Sequence, residues 1–126
     1  MRKSKKNTSP VTAYEGNIEE LIIQALLEKG AQDVVSINLK PVRHVLFDYF
    51  IICTGTSKPH VETLTDFVIE TTKKQAGIRP AFVEGTLNNE WVLLDYFNVI
   101  VHVFQPEARQ YYSIEKLWND AEIQHF

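Results

Sequence analysis

The stretch EWVLLDYFNVIVHVF, residues 90–104, reads as two strands joined at Phe97-Asn98. It is mostly apolar, yet it carries one acid, Asp95, and one imidazole, His102. A two-residue turn at Phe97-Asn98, with Asn98 able to take a positive φ, pairs Tyr96 with Val99, Leu94 with Val101 and Val92 with Val103. Side chains alternate across a strand, so this set forms one greasy face that belongs against helices. The opposite face carries Trp91, Leu93 and Asp95 across from Phe104, His102 and Ile100. Asp95 and His102 fall diagonally on it, about 7 to 8 Å apart at Cα, within reach of a side-chain hydrogen bond.

Elements upstream of this hairpin supply the rest of an α/β domain. PAFVEG (80–85) is a short strand just before it. TSKPHVETLTDFVIETTKKQAG (56–77) has Ser57 as N-cap, Pro59 in the tolerant first turn and Gly77 as terminator, and predicts a helix burying Val61, Leu64 and Val68. DYFIICTGT (48–56) is a β-branched and aromatic run whose near-continuous apolarity predicts a central strand covered on both faces. DVVSINLK (33–40) alternates Val35, Ile37 and Leu39 with polar residues as a half-buried strand does. GNIEELIIQALLEKG (16–30) places Asn17 at an N-cap and Glu20 three residues later, and its apolar spacing predicts a helix to Lys29, stopped by Gly30.

Downstream, Pro106 is well placed to open a helical turn, and Ser113 can cap a second short helix through Trp118. Tyr111, Ile114, Leu117 and Trp118 recur at spacings of three and four. The expected order is α-β-β-α-β-β-β-α, with a mixed five-stranded sheet flanked by helices in one compact layer domain over residues 16–126.

Size and charge narrow the function. At 126 residues the chain suits one domain with a real core. No apolar run approaches the roughly 20 residues of a membrane span, no signal-like stretch opens the chain, and the lone Cys53 cannot form an internal disulfide, so a cytoplasmic setting is expected. Four of the thirteen Lys and Arg lie in the first six positions with no acid among them. The remaining residues therefore hold nine basic against sixteen acidic groups, a balance of -7. Residues 1–15 read as a flexible basic tail, the one part suited to touching RNA, while the acidic body disfavours DNA and favours a basic protein partner.

Catalytic readings are weak. A Cys53, His102, Asp95 triad can be written down, but a Cys inside an apolar strand has a raised thiol pKa and is inert. His44, His60, His102 and His125 lack the spacing of a metal site. The Gly55-Thr56-Ser57 turn into a helix resembles an anion site only generically, since no GxGxxG or GxxxxGK[ST] pattern is present. The favoured alternative makes Trp91, Leu93, Asp95, Ile100, His102 and Phe104 a partner-binding face, with an aromatic anchor and a fringing acid. Cover of that face by the C-terminal segment, which would make Trp91 core, is the competing expectation.

DYFIICTGTSKPHV, Glu84-Gly85, WVLLDY, VIVHVF and ARQYYSIEKLW occur in the order and spacing of the ribosomal silencing factor, or Iojap, family, which the chain resembles from about Ile18 to Trp118. The resemblance implies a nucleotidyltransferase-like fold without catalysis, cofactor or metal. It further implies binding to the large ribosomal subunit through its fourteenth protein, as a monomer on the ribosome that is able to pair with itself in isolation, so that the small subunit cannot join when nutrients are short. The family's tryptophan falls on Trp91 and its acid on Asp95, with His102, Tyr112 and Trp118 at other shared positions. Where the family commonly has Gly-Asp at the hairpin turn, this chain has Phe97-Asn98. A nucleotide-binding or nucleotidyltransferase-like enzyme is the alternative, but such enzymes need two carboxylates one residue apart on a strand, and Asp95 has only Leu93 and Phe97 as such neighbours.

Overall fold

Asn17 and Ser57 stand at the N-caps of the two long helices, as expected. A computed structural model describes residues 16–126; the expected tail, residues 1–15, lies outside the described residues. Helix α1 runs Ile18–Glu28 and helix α2 runs Lys58–Ala76. Ser57 accepts the His60 N–H at 3.2 Å, while Asn17 makes no side-chain cap. Gly77 closes α2 at φ 67, a left-handed conformation that costs glycine nothing.

The strands are β1 (Gln32–Asn38), β2 (Tyr49–Thr54), β3 (Phe82–Glu84), β4 (Trp91–Asp95), β5 (Val99–Phe104) and β6 (Glu122–His125). They form one mixed sheet in the order β3-β4-β5-β2-β1-β6, with β2 and β5 parallel and the other pairs antiparallel. The sheet therefore has six strands, not the expected five. EIQH, the missed strand, pairs Ile123 with Ile37 at the sheet's edge, where its outer residues face water and carry no apolar signal.

Helices α1 and α2 cover one face. Ile22, Leu26, Val61, Leu64 and Val68 pack there on Ile51, Cys53, Val92, Leu94, Val101 and Val103. Tyr96 closes this core with its hydroxyl 2.8 Å from Thr72 Oγ1, a satisfied buried polar pair. Val35, Ile37, Leu39, Ile52 and Phe104 form a second core on the opposite face, beneath the 39–48 loop and the C-terminal segment. As the central-strand reading requires, β2 alternates between the two cores.

The C-terminal segment is helix α3 (Pro106–Tyr112), a 3-10 turn (Ile114–Trp118) and β6. Arg109 fastens it. Its Nη1 donates to the Asp33 carbonyl at 2.7 Å and to Thr54 Oγ1 at 2.9 Å, and Nε and Nη2 form a bidentate pair with Glu115 at 3.1 and 2.8 Å. The accepting Asp33 carbonyl belongs to an irregularity in β1, where Asp33 takes φ 49. No helix among the described residues is long and apolar enough to cross a membrane.

Candidate functional site: an aromatic sheet face

Strands β4 and β5 pair in the expected register, with Trp91 opposite Phe104, Leu93 opposite His102 and Asp95 opposite Ile100. The six candidate residues therefore share one face, but they divide in depth. Trp91, Leu93 and Asp95 are half-buried, whereas Ile100, His102 and Phe104 are buried. The expectation of an open face running from Trp91 to Phe104 is corrected. Ala108, Ile114 and Trp118 pack on the core that holds Phe104, and Trp118 meets the Phe50 ring at 5.8 Å. The face is covered over β5, β2 and β1 and opens at β4 and β3.

Asp95 and His102, within reach of each other by register, do not bond, because each side chain has another partner. Asp95 Oδ1 accepts the Phe97 N–H at 2.7 Å, which secures the hairpin turn. In that turn Phe97, not Asn98, takes the positive φ, at 73°. An aromatic residue holds this conformation only at a cost. His102 Nδ1 accepts the Trp91 indole N–H at 3.0 Å. Burial pushes the His102 imidazole down to about 4, so the ring is neutral at physiological pH.

Four residues outside the expected set complete the open part. Phe82 pairs with Asp95 and Glu84 with Leu93, which places both on the same face; Phe82 is 58% exposed. Tyr112, 52% exposed, reaches over from α3 to the Trp91 ring at 4.8 Å between centroids. Phe97, 71% exposed, stands at the hairpin tip. Residues 80–108 contain Glu84, Glu90, Asp95 and Glu107 and no Lys or Arg. The open face is thus aromatic, and the charged residues on its strands, Glu84 and Asp95, are acidic. Phe82 escaped notice because a three-residue strand is too short to show a period.

Gly85 secures the backbone behind Trp91. It sits at φ 91, and a Cβ there would lie 2.0 Å from the Trp91 carbonyl oxygen. Only glycine permits the chain to pass so close.

The remaining candidate chemistry turns inward. Cys53 is buried, and burial pushes its thiol up to about 12, a shift that the nearby Arg109 charge only partly opposes. Cys53→Ala is expected to cost roughly 1 kcal/mol of stability and to leave the fold intact, read by denaturant unfolding; a loss of several kcal/mol would contradict this. At the Gly55 turn, the Thr56 N–H donates to His60 Nδ1 at 2.9 Å and the His60 N–H to Ser57, so these donors are already used. Gly55 is explained by packing, since a Cβ there would meet Val61 Cγ2 at 2.9 Å. Among the described residues no three His, Cys, Asp or Glu side chains gather as a metal site would require.

Fold and site together define an α/β domain with helices on one sheet face and a half-open aromatic surface on the other. Comparison with known proteins makes this specific. The family model described as ribosomal silencing factor during starvation matches residues 13–125, and the chain belongs to that family. It is 37% identical over 102 residues to the ribosomal silencing factor RsfS of Halalkalibacterium halodurans, covering 81% of this chain and 86% of that one. RsfS of Bacillus subtilis is 35% identical over 107 residues, covering 85% and 89%. A crystal structure of a Chromobacterium violaceum protein superposes with a TM-score of 0.76 at 36% identity, covering 81% of this chain and 83% of that one.

Proposed function

We propose that this protein binds the large ribosomal subunit through that subunit's fourteenth protein and, seated there, sterically blocks the small subunit, repressing translation in the cytoplasm when nutrients are short. The observation that carries this reading is the open β3–β4 face, where Trp91, Phe82 and Tyr112 supply area and the charged residues of the strands that build it, Glu84 and Asp95, are acidic. Trp and Tyr anchors dominate protein interfaces, and a carboxylate rim steers a basic ribosomal protein into register. Family membership adds support. So does a mouse relative named for mitochondrial assembly of the ribosomal large subunit, 28% identical and matched over 79% of this chain and 44% of its own length. Trp91, Leu93 and Asp95 contact the partner in this reading, and Ile100, His102 and Phe104 support them from beneath. Off the ribosome the same apolar area provides a surface for self-pairing.

Sedimentation with purified subunits tests the proposal. The protein is expected to travel with the large subunit and to reduce the yield of joined ribosomes when both subunits are supplied. Cosedimentation with the small subunit alone would sink the reading. Because the rim charges act over a distance comparable to the Debye length, about 8 Å at physiological salt, raising ionic strength should slow association more than it speeds release. Stopped-flow measurement of a salt-independent on-rate would contradict the charge-steering part.

A further inference from the structure

The Trp91 indole is held by one stacked ring, one tilted ring and one directed bond. Its ring lies 4.9 Å from Phe104 and 4.8 Å from Tyr112, and its N–H donates to His102 Nδ1 at 3.0 Å. Stacking alone accepts either flip of an indole, because both present the same flat π face; a directed N–H bond accepts only one. On a side chain half open to solvent, that bond selects which edge of the ring faces outward. His102 is itself immobilised, 3% exposed, with Phe50 edge-on at 4.7 Å and Phe104 nearly parallel at 6.1 Å.

We propose that His102 is a positioning residue for partner recognition, holding the Trp91 indole from beneath in the single orientation that binds the large subunit. The proposal rests on the reading that Trp91 belongs to the ribosome-facing surface. A nitrogen that accepts an N–H bond carries no proton, so the proton of neutral His102 sits on Nε2. That atom is buried without a partner among the described residues. An orphaned buried donor is a cost that phenylalanine or leucine in the same space would avoid. Packing therefore gives no reason for an imidazole at this position, whereas the bond to Trp91 does.

Long-range proton–nitrogen NMR of the free protein reads the tautomer directly. A proton on Nε2 with Nδ1 bare is expected; a proton on Nδ1 overturns the proposal, because that nitrogen could not then accept. His102→Phe keeps the ring and removes the acceptor. In a Trp118→Phe background, where Trp91 is the one remaining indole, its N–H signal should move and exchange faster with solvent, and large-subunit affinity should fall about tenfold. His102→Asn, whose amide oxygen can stand near the Nδ1 position, should recover the signal and most of the affinity. An unmoved indole signal in His102→Phe, or a moved signal with wild-type affinity, overturns the positioning role. Trp91→Ala measured alongside separates two failures. If it binds normally, the surface reading has failed as well; if it binds weakly while His102→Phe binds normally, the positioning role alone has failed. Should His102→Phe not fold, His102→Asn decides, since losing both signal and affinity in that folded variant also overturns the proposal.

Discussion

Trp91→Ala is expected to weaken large-subunit binding by about 2 kcal/mol or more, roughly thirtyfold, and to lower folding stability by about 2 to 3 kcal/mol. Two effects arise because the ring is half-buried. Its outer part is an interface anchor, and its inner part fills space against Phe104 at 4.9 Å and satisfies His102 Nδ1. A fully buried aromatic would cost about 3 to 5 kcal/mol on truncation, so partial exposure places the fold cost lower. The two are separated by measuring unfolding free energy and then affinity at a temperature where the variant is folded. Wild-type affinity of the folded variant would remove Trp91 from the partner surface. Asp95 provides a contrast, since its carboxylate both fringes the face and caps the Phe97 N–H, and a loss at that position cannot be assigned to the partner without the same stability control.

Most of the sheet was legible because period-two alternation survives tertiary context. The pairs Leu94 with Val101 and Val92 with Val103, the helix-facing side, the central position of β2 and the ends of α2 all follow from residue pattern and capping chemistry. What covers the other face was not legible. Ile100, His102 and Phe104 alternate identically whether their side is open or roofed by a distant segment, and pattern cannot report that difference. The C-terminal stripe shows how little a pattern says about such a roof. Tyr111, Ile114, Leu117 and Trp118 share a face only on a continuous helix, but Ser113 takes φ 48 and a 3-10 turn follows. Across that break the stripe divides: Ile114 and Trp118 pack on the second core while Tyr111 and Leu117 stand in solvent. Phe97 is a further instance. Residue preference favours Asn98 for a positive φ, yet in this hairpin the preceding position requires it, and the Asp95 bond to the Phe97 N–H holds the turn there.

Arg109→Ala should have the largest purely structural effect, about 3 kcal/mol, because among the described residues that side chain alone ties the C-terminal helical turns to the ends of both β1 and β2. The Arg109 side chain, 13% exposed, joins four acceptor atoms from three places: the β1 irregularity at Asp33, the end of β2 at Thr54, and Glu115 in the 3-10 turn. Removing it strands a partly buried carboxylate and leaves the Asp33 carbonyl and Thr54 hydroxyl without that donor, and breaking such a pair from one side costs far more than the pair itself contributes. Lysine should rescue little, since a point charge cannot make the bidentate contact and reach the Asp33 carbonyl together. Urea unfolding gives the magnitude, and hydrogen exchange gives the location. Amides of β6, and that of Phe126 just beyond it, whose N–H reaches the Val34 carbonyl at 2.9 Å, should lose protection before those of β2 and β5. A change below about 0.5 kcal/mol, or uniform exchange across the sheet, would mean that Ile114, Trp118 and Ile123 hold the segment by packing alone. Tyr112 belongs to the same segment and lies against Trp91, so an expected loosening here should reach the partner face, and Arg109→Ala should weaken large-subunit binding although Arg109 itself is not among the proposed partner contacts.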